Sequence, residues 1–138
     1  MFSKSLTTAL IIGVALGVSA CRTTPPPKPM GVKVTGEELA AWYMSGQSTT
    51  TEGTSLESGR SYVITRDGAG RQQLSASGGS FTDTGSYRIE GDMVCNKWKV
   101  VREGQEKCFV TYALPDGTYE VFDENGVKTA TLRAPSTS

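Results

Sequence analysis

Residues 108–121 read Cys108-Phe109-Val110-Thr111-Tyr112-Ala113-Leu114-Pro115-Asp116-Gly117-Thr118-Tyr119-Glu120-Val121. Cys108, Val110, Tyr112 and Leu114 fall on one face of an extended chain and Phe109, Thr111 and Ala113 on the other, because successive side chains of a strand point to opposite sides. Asp116-Gly117 supplies the positive φ that a tight hairpin needs, and Tyr119 and Val121 then resume the alternation. The stretch reads as a strand, a turn and a second strand.

The same punctuation recurs outward along the chain. Turn pairs stand at Asp67-Gly68, Gly78-Gly79, Gly91-Asp92, Glu103-Gly104, Asp116-Gly117 and Asn125-Gly126, with spacings of 11, 13, 12, 13 and 9 between their second members. Short strands broken by turn signals at about 8–12 residues belong to all-β sandwiches and barrels. Ser61–Thr65 is β-branched and aromatic. Phe81, Gly85, Tyr87 and Ile89 share one parity, with Thr82, Thr84, Ser86, Arg88 and Glu90 on the other. Val127–Leu132 gives a last strand and Thr49-Thr50-Thr51 an early one, while Ser75-Ala76-Ser77-Gly78 reads as a flexible hairpin loop. Before these, Thr35-Gly36-Glu37-Glu38 is a capping box, and Leu39, Trp42 and Tyr43 lie on one helical face. A helix is predicted over about 36–45, stopped at Gly46. The predicted fold is therefore mainly β: an antiparallel up-and-down meander of seven or eight strands, as a small barrel or curved sheet, with one short N-terminal helix.

The first 21 residues have a different character. Lys4 precedes an apolar run from Leu6 to Val18, interrupted by Thr7, Thr8, Gly13 and Gly17. That run is shorter than the roughly 20 residues a membrane span requires, and it has the form of a secretory signal. Val18-Ser19-Ala20-Cys21 resembles the bacterial lipoprotein signal, which implies cleavage before Cys21 and a diacylglycerol on its sulfur. Several acyl chains hold a protein at a membrane where one holds it marginally. By analogy with that family, Arg22 rather than Asp after the lipidated cysteine implies the outer membrane, facing the periplasm. Pro25, Pro26, Pro27 and Pro29 favour an extended polyproline spacer. The predicted organisation is a signal peptide over 1–20, a lipidated Cys21 and proline-rich tether over 21–34, one β-rich domain over 35–133 and a tail over 134–138.

Composition narrows the chemistry. The chain holds 14 basic and 14 acidic residues; loss of Lys4 with the signal leaves 13 against 14. A near-neutral chain offers no electrostatic basis for nucleic-acid binding. There is no histidine, which removes Ser–His and Cys–His nucleophile pairs, the commonest metal ligand and the commonest general base. Asp67, Asp116 and Asp123 stand at turns, where local hydrogen bonding favours them. Asp83 and Glu90, at odd separation on a strand, face opposite sides. Asp123-Glu124-Asn125-Gly126 lacks the further ligands of a calcium loop. No catalytic residue, metal or cofactor is expected, and the chain reads as a non-enzyme.

Cys95 and Cys108 remain after lipidation of Cys21. In an oxidising compartment an even pair in a small domain reads as a disulfide. A hairpin centred on Arg102-Glu103-Gly104-Gln105 would set Cys95 opposite Tyr112, and direct pairing of the cysteines needs a turn centred near Val101-Arg102. An offset turn, a bulge and a diagonal bridge are all open.

The segment Gly85-Ser86-Tyr87 with Gly91, Cys95-Asn96-Lys97-Trp98 and Cys108-Phe109 resembles an uncharacterised group of small exported proteins and lipoproteins, largely alphaproteobacterial. That resemblance spans about residues 35–133 and implies an exported β domain with a disulfide. Ser75-Ala76-Ser77-Gly78 is similar to a loop of lipoprotein inhibitors of C-type lysozyme, which implies an inhibitor of a lysozyme or protease.

The leading functional expectation is an outer-membrane lipoprotein whose periplasmic domain makes a non-catalytic contact, with an envelope protein or cell-wall partner and with the membrane through Cys21. The alternative is a lipocalin-like carrier, its barrel interior lined by Tyr62, Tyr87, Trp98 and Tyr112. Trp42, Trp98, Tyr87 and Tyr112 are the candidate contact residues, and an exposed Trp98 would mark a docking surface.

Overall fold

The computed structural model describes residues 28–137. The signal, Cys21, Arg22 and Pro25–Pro27 lie outside the described residues.

Among the described residues ten strands and one α-helix follow in the order β1 (Val32–Lys33), α1 (Gly36–Tyr43), β2 (Thr49–Ser55), β3 (Ser61–Arg66), β4 (Arg71–Ala76), β5 (Thr82–Glu90), β6 (Met93–Trp98), β7 (Lys107–Ala113), β8 (Tyr119–Asp123), β9 (Lys128–Leu132) and β10 (Ser136–Thr137). From β2 to β9 each strand pairs antiparallel with the next, and β9 returns to β2 with Gly53 opposite Leu132. The meander therefore closes into an eight-stranded barrel. Closure pairs the strand edges that an open curved sheet would leave bare.

The folded domain extends past both predicted limits. β1 pairs with the end of β7, and Val34 is buried in the core. β10 pairs with Thr49 and Thr50 of β2. The strand Arg71–Ala76 was not legible, since Leu74 is its one large apolar residue. It forms because β3 and β5 each offer it five backbone partners. Ser75 and Ala76 thus belong to a strand, and the loop expected there is confined to a 3-10 turn at Ser77–Gly79.

The helix follows its sequence signals. The Thr35 hydroxyl accepts the Glu38 N–H at 3.3 Å while the Glu38 carboxylate accepts the Thr35 N–H at 2.8 Å. The Gly36 N–H donates to Asp92 Oδ1 at 2.7 Å, tying the helix to the tight β5–β6 turn. A Cβ on Gly36 would stand 2.1 Å from the Gly91 carbonyl oxygen, so glycine permits this approach.

Inward and outward faces alternate round the barrel, and the core divides into two parts. At the helix end, Val34, Leu39, Tyr43, Tyr87 and Val94 pack together, with Leu39 fully buried. At the other end, Phe109, Val121 and Ala130, with Tyr62 and Leu132, form a second cluster on the walls.

Cys95 stands directly opposite Cys108 and is bonded to it. The register is the one with its centre at Val101-Arg102, so no bulge or diagonal is needed. The chain reverses through a long loop in which Arg102 and Glu103 both adopt φ of 55°. Non-glycine residues seldom occupy that region. Asp83 holds this loop: its carboxylate accepts the N–H groups of Val100 at 3.0 Å and Val101 at 2.8 Å.

Candidate functional site

Helix α1 fills one end of the barrel and the other end stays hollow. A cavity of about 440 Å³ occupies the hollow half, in the range that accommodates one small ligand. Its walls carry Ile64, Leu74, Trp98, Phe109, Val121 and Leu132. Its mouth lies among the β2–β3, β4–β5 and β6–β7 connections, where Glu57, Arg60, Arg102 and Lys107 line it. Leu56, Phe81 and Val100 stand exposed on the same rim.

The floor is polar. Strand β3 presents Tyr62, Ile64 and Arg66 on its inner face, so the alternation that lines the wall ends in a cation. Arg66 is 4% exposed. Its guanidinium lies 4.3 Å from the centre of the Tyr43 ring and 5.3 Å from that of Tyr87, a favourable placement for a cation over an aromatic face. One guanidinium nitrogen, Nη2, donates to Asn96 Oδ1 at 3.3 Å, while Nε has no partner among the described residues. Among the described residues no carboxylate forms an ion pair with it. Burial draws its pKa down, opposed by the phenols of Tyr43, Tyr87 and Tyr62, yet a guanidinium stays charged at neutral pH. Arg66 is flanked in register by Thr49 on β2 and Gln72 on β4, and Thr49 Oγ1 and Gln72 Oε1 are likewise buried without partners among the described residues.

Two further groups look toward this space. Burial pushes the Tyr62 phenol up to about 12, against the opposing pull of Arg66 and Arg102. Arg102, carried on the strained loop, places its guanidinium 4.9 Å from the centre of the Phe109 ring near the mouth.

The candidate residues separate. Trp98 and Tyr62 line the cavity. Tyr87 lies beneath it, its hydroxyl donating to the Tyr43 carbonyl. Tyr112 does not face inward: it shares the parity of Cys108 and Val110, opposite to the cavity-lining Phe109 and Thr111, and packs edge-on against Phe122 at 5.4 Å on the outer wall. Trp42 is half-buried on the helix, edge-on to Tyr119 at 5.3 Å. Trp98 is buried on the inner wall and offers no external docking surface.

The disulfide also lies on the outer wall. Arg88 stands opposite Cys95 on the neighbouring strand and binds both Glu90 and Glu106. Glu90 comes close to both sulfurs, but bonded to each other the cysteines offer no thiolate to a metal. The turn aspartates act locally: Asp67, Asp116 and Asp123 each accept backbone N–H groups of their own turns.

Arg66 was missed from sequence. Its signal is the unbroken parity Tyr62, Ile64, Arg66, which puts a cation on an otherwise apolar face. The chain matches no protein-family model, no curated protein and no solved structure.

Proposed function

We propose that this chain is a non-catalytic binding barrel that takes one small, largely apolar molecule into its interior, and that a lipid on Cys21 tethers it to the outer membrane on the periplasmic side. The observation that carries the reading is the cavity of about 440 Å³ behind an open mouth. Eight-stranded barrels either fill their interior with side chains or hold one small ligand, and here the helix fills only one half. Apolar side chains on the wall and exposed apolar residues on the rim give such a molecule a continuous path out of water.

This reading favours the carrier over the contact module, because Trp98 points into the cavity rather than out of the wall. The anchor rests on Val18-Ser19-Ala20-Cys21, and Arg22 carries the choice of membrane. Cys21→Ser should move the protein from the membrane fraction to the soluble fraction; continued membrane attachment would refute the anchor.

The cavity is tested with that soluble variant and an uncharged naphthylamine dye whose fluorescence rises in apolar surroundings. Saturable binding of one dye per chain is expected. Leu74→Trp, which fills the cavity from β4, should reduce it at least tenfold while the far-ultraviolet circular dichroism stays that of the parent. No saturable binding to the parent would overturn the reading. If Leu74→Trp does not fold, quenching of Trp98 fluorescence on dye binding, read in a Trp42→Phe background, supplies the same test.

A further inference from the structure

Arg66 poses a problem that the apolar cavity leaves unsolved. A buried charge without a counter-charge is strongly destabilising, because its lost hydration is not replaced. The guanidinium has five N–H donors in a planar fork, and among the described residues it makes one hydrogen bond, with Asn96 at 3.3 Å. Tyr43 and Tyr87 present their ring faces to the guanidinium carbon at 4.3 and 5.3 Å, and neither supplies an acceptor to the donor left over at Nε. The unpartnered Nε, the absence of a paired carboxylate among the described residues and the position at the foot of an apolar shaft agree on the missing piece.

We infer that the cavity's ligand is a single-chain amphiphile with a carboxylate head, inserted head first so that the carboxylate meets Arg66 at the floor while the chain runs up the wall past Ile64, Leu74 and Phe109. This rests on the cavity being a ligand site. A carboxylate matches the guanidinium fork in two parallel hydrogen bonds, which few other groups of its size do. The depth also fits an extended chain: four residue steps from Tyr62 to Arg66 span about 13 Å along the strand. The other cations that line the cavity, Arg60, Arg102 and Lys107, sit at the mouth, where solvent can satisfy them and where Glu57 adds an acidic neighbour to Arg102. The floor therefore selects the charged head, and the wall selects the chain.

The test compares dodecanoate with dodecanol on the soluble Cys21→Ser protein, below the concentration at which either aggregates, by displacement of the uncharged dye. Dodecanoate is expected to bind at least tenfold more tightly than dodecanol. Arg66→Met should bring the two together, and Arg66→Lys should keep part of the preference. Nitrogen NMR on the unsubstituted Arg66 gives a readout that does not depend on the variants folding: its Nε–H resonance should shift with dodecanoate and not with dodecanol. Equal affinity for acid and alcohol would overturn the inference and leave the binding barrel standing. A preference that survives Arg66→Met and is lost when Arg60, Arg102 or Lys107 is replaced by Met would place the head at the mouth and refute the orientation. Failure of the dye, the acid and the alcohol alike would remove the binding barrel itself.

Discussion

The guanidinium of Arg66 lies 4.3 Å from the centre of the Tyr43 ring. Helix α1 therefore closes the barrel and also sets an aromatic ring face against its floor cation. Tyr43 joins the two roles again through its hydroxyl, 3.5 Å from Thr51 Oγ1 on β2, and through its carbonyl, which accepts the Tyr87 hydroxyl. Tyr43→Leu removes the ring and keeps an apolar side chain. It should lower stability by about 2 kcal/mol, combining lost packing and a lost cation–aromatic contact. Urea denaturation checks this, and tryptophan fluorescence in a Trp42→Phe background, which leaves Trp98 alone, shows whether the cavity wall is disturbed along with the floor.

Asp83 carries a different load. Burial raises its pKa, but the N–H groups of Val101, Val100, Thr84 and Lys99 outweigh burial and hold the carboxyl below its ordinary value. A carboxyl whose pKa is lower folded than unfolded stabilises the fold above the unfolded value, near 4, and loses that contribution as pH falls through the lower folded value. Asp83→Asn should cost about 1–2 kcal/mol at neutral pH. It should also flatten the decline in stability below pH 4, measured by denaturant midpoints from pH 7 to pH 3.

Tyr62 predicts the opposite end of the pH range. Its phenol ionises at about 12 in the folded chain and near 10 when unfolded. Between those values the unfolded chain releases a proton that the folded chain keeps, so stability falls as pH rises through that window. A tyrosinate absorbance titration of the five tyrosines should show late-ionising components, and Tyr62→Phe should remove one of them.

The disulfide closes the β6–β7 loop with a sequence separation of 13. Replacing both cysteines by alanine should lower stability by about 3 kcal/mol on the chain-entropy account of a loop of this length. Because the bridge lies on the outer wall, dye binding by the folded fraction should survive, as fluorescence titration at low temperature would check.

The barrel was legible because its strands announce themselves twice, by alternation and by turn pairs. Asp67-Gly68, Gly91-Asp92, Asp116-Gly117 and Asn125-Gly126 all connect strands. The strand Arg71–Ala76 carried neither signal strongly, and its neighbours impose it. Parity told which residues of β7 share a side but not which side faces in, since Cys108, Val110 and Tyr112 are as apolar as Phe109, Thr111 and Ala113. Closure decides that question, and so Tyr112 was placed on the wrong wall. Arg66 was hidden for a related reason: a cation at a strand end looks solvated until the helix is laid across that end. Of the interior expected for a carrier, Tyr62 and Trp98 do line the cavity, but its size lies outside sequence reading, because the volume left by a helix that fills only one end depends on three-dimensional packing.

That half-filled barrel has a consequence in time as well as in space. Helix α1 stops one end, so among the described residues the cavity has its mouth at the other, beside Leu56, Phe81 and Val100. A molecule inside sits in a blind alley. A second molecule cannot displace it from behind and must wait for it to leave, so the exchange rate should not depend on how much competitor is added. Arrival and departure cross the same barrier. A change in the rim loops that alters only this barrier would speed loading and unloading by one common factor, leaving affinity where it was and changing only residence time.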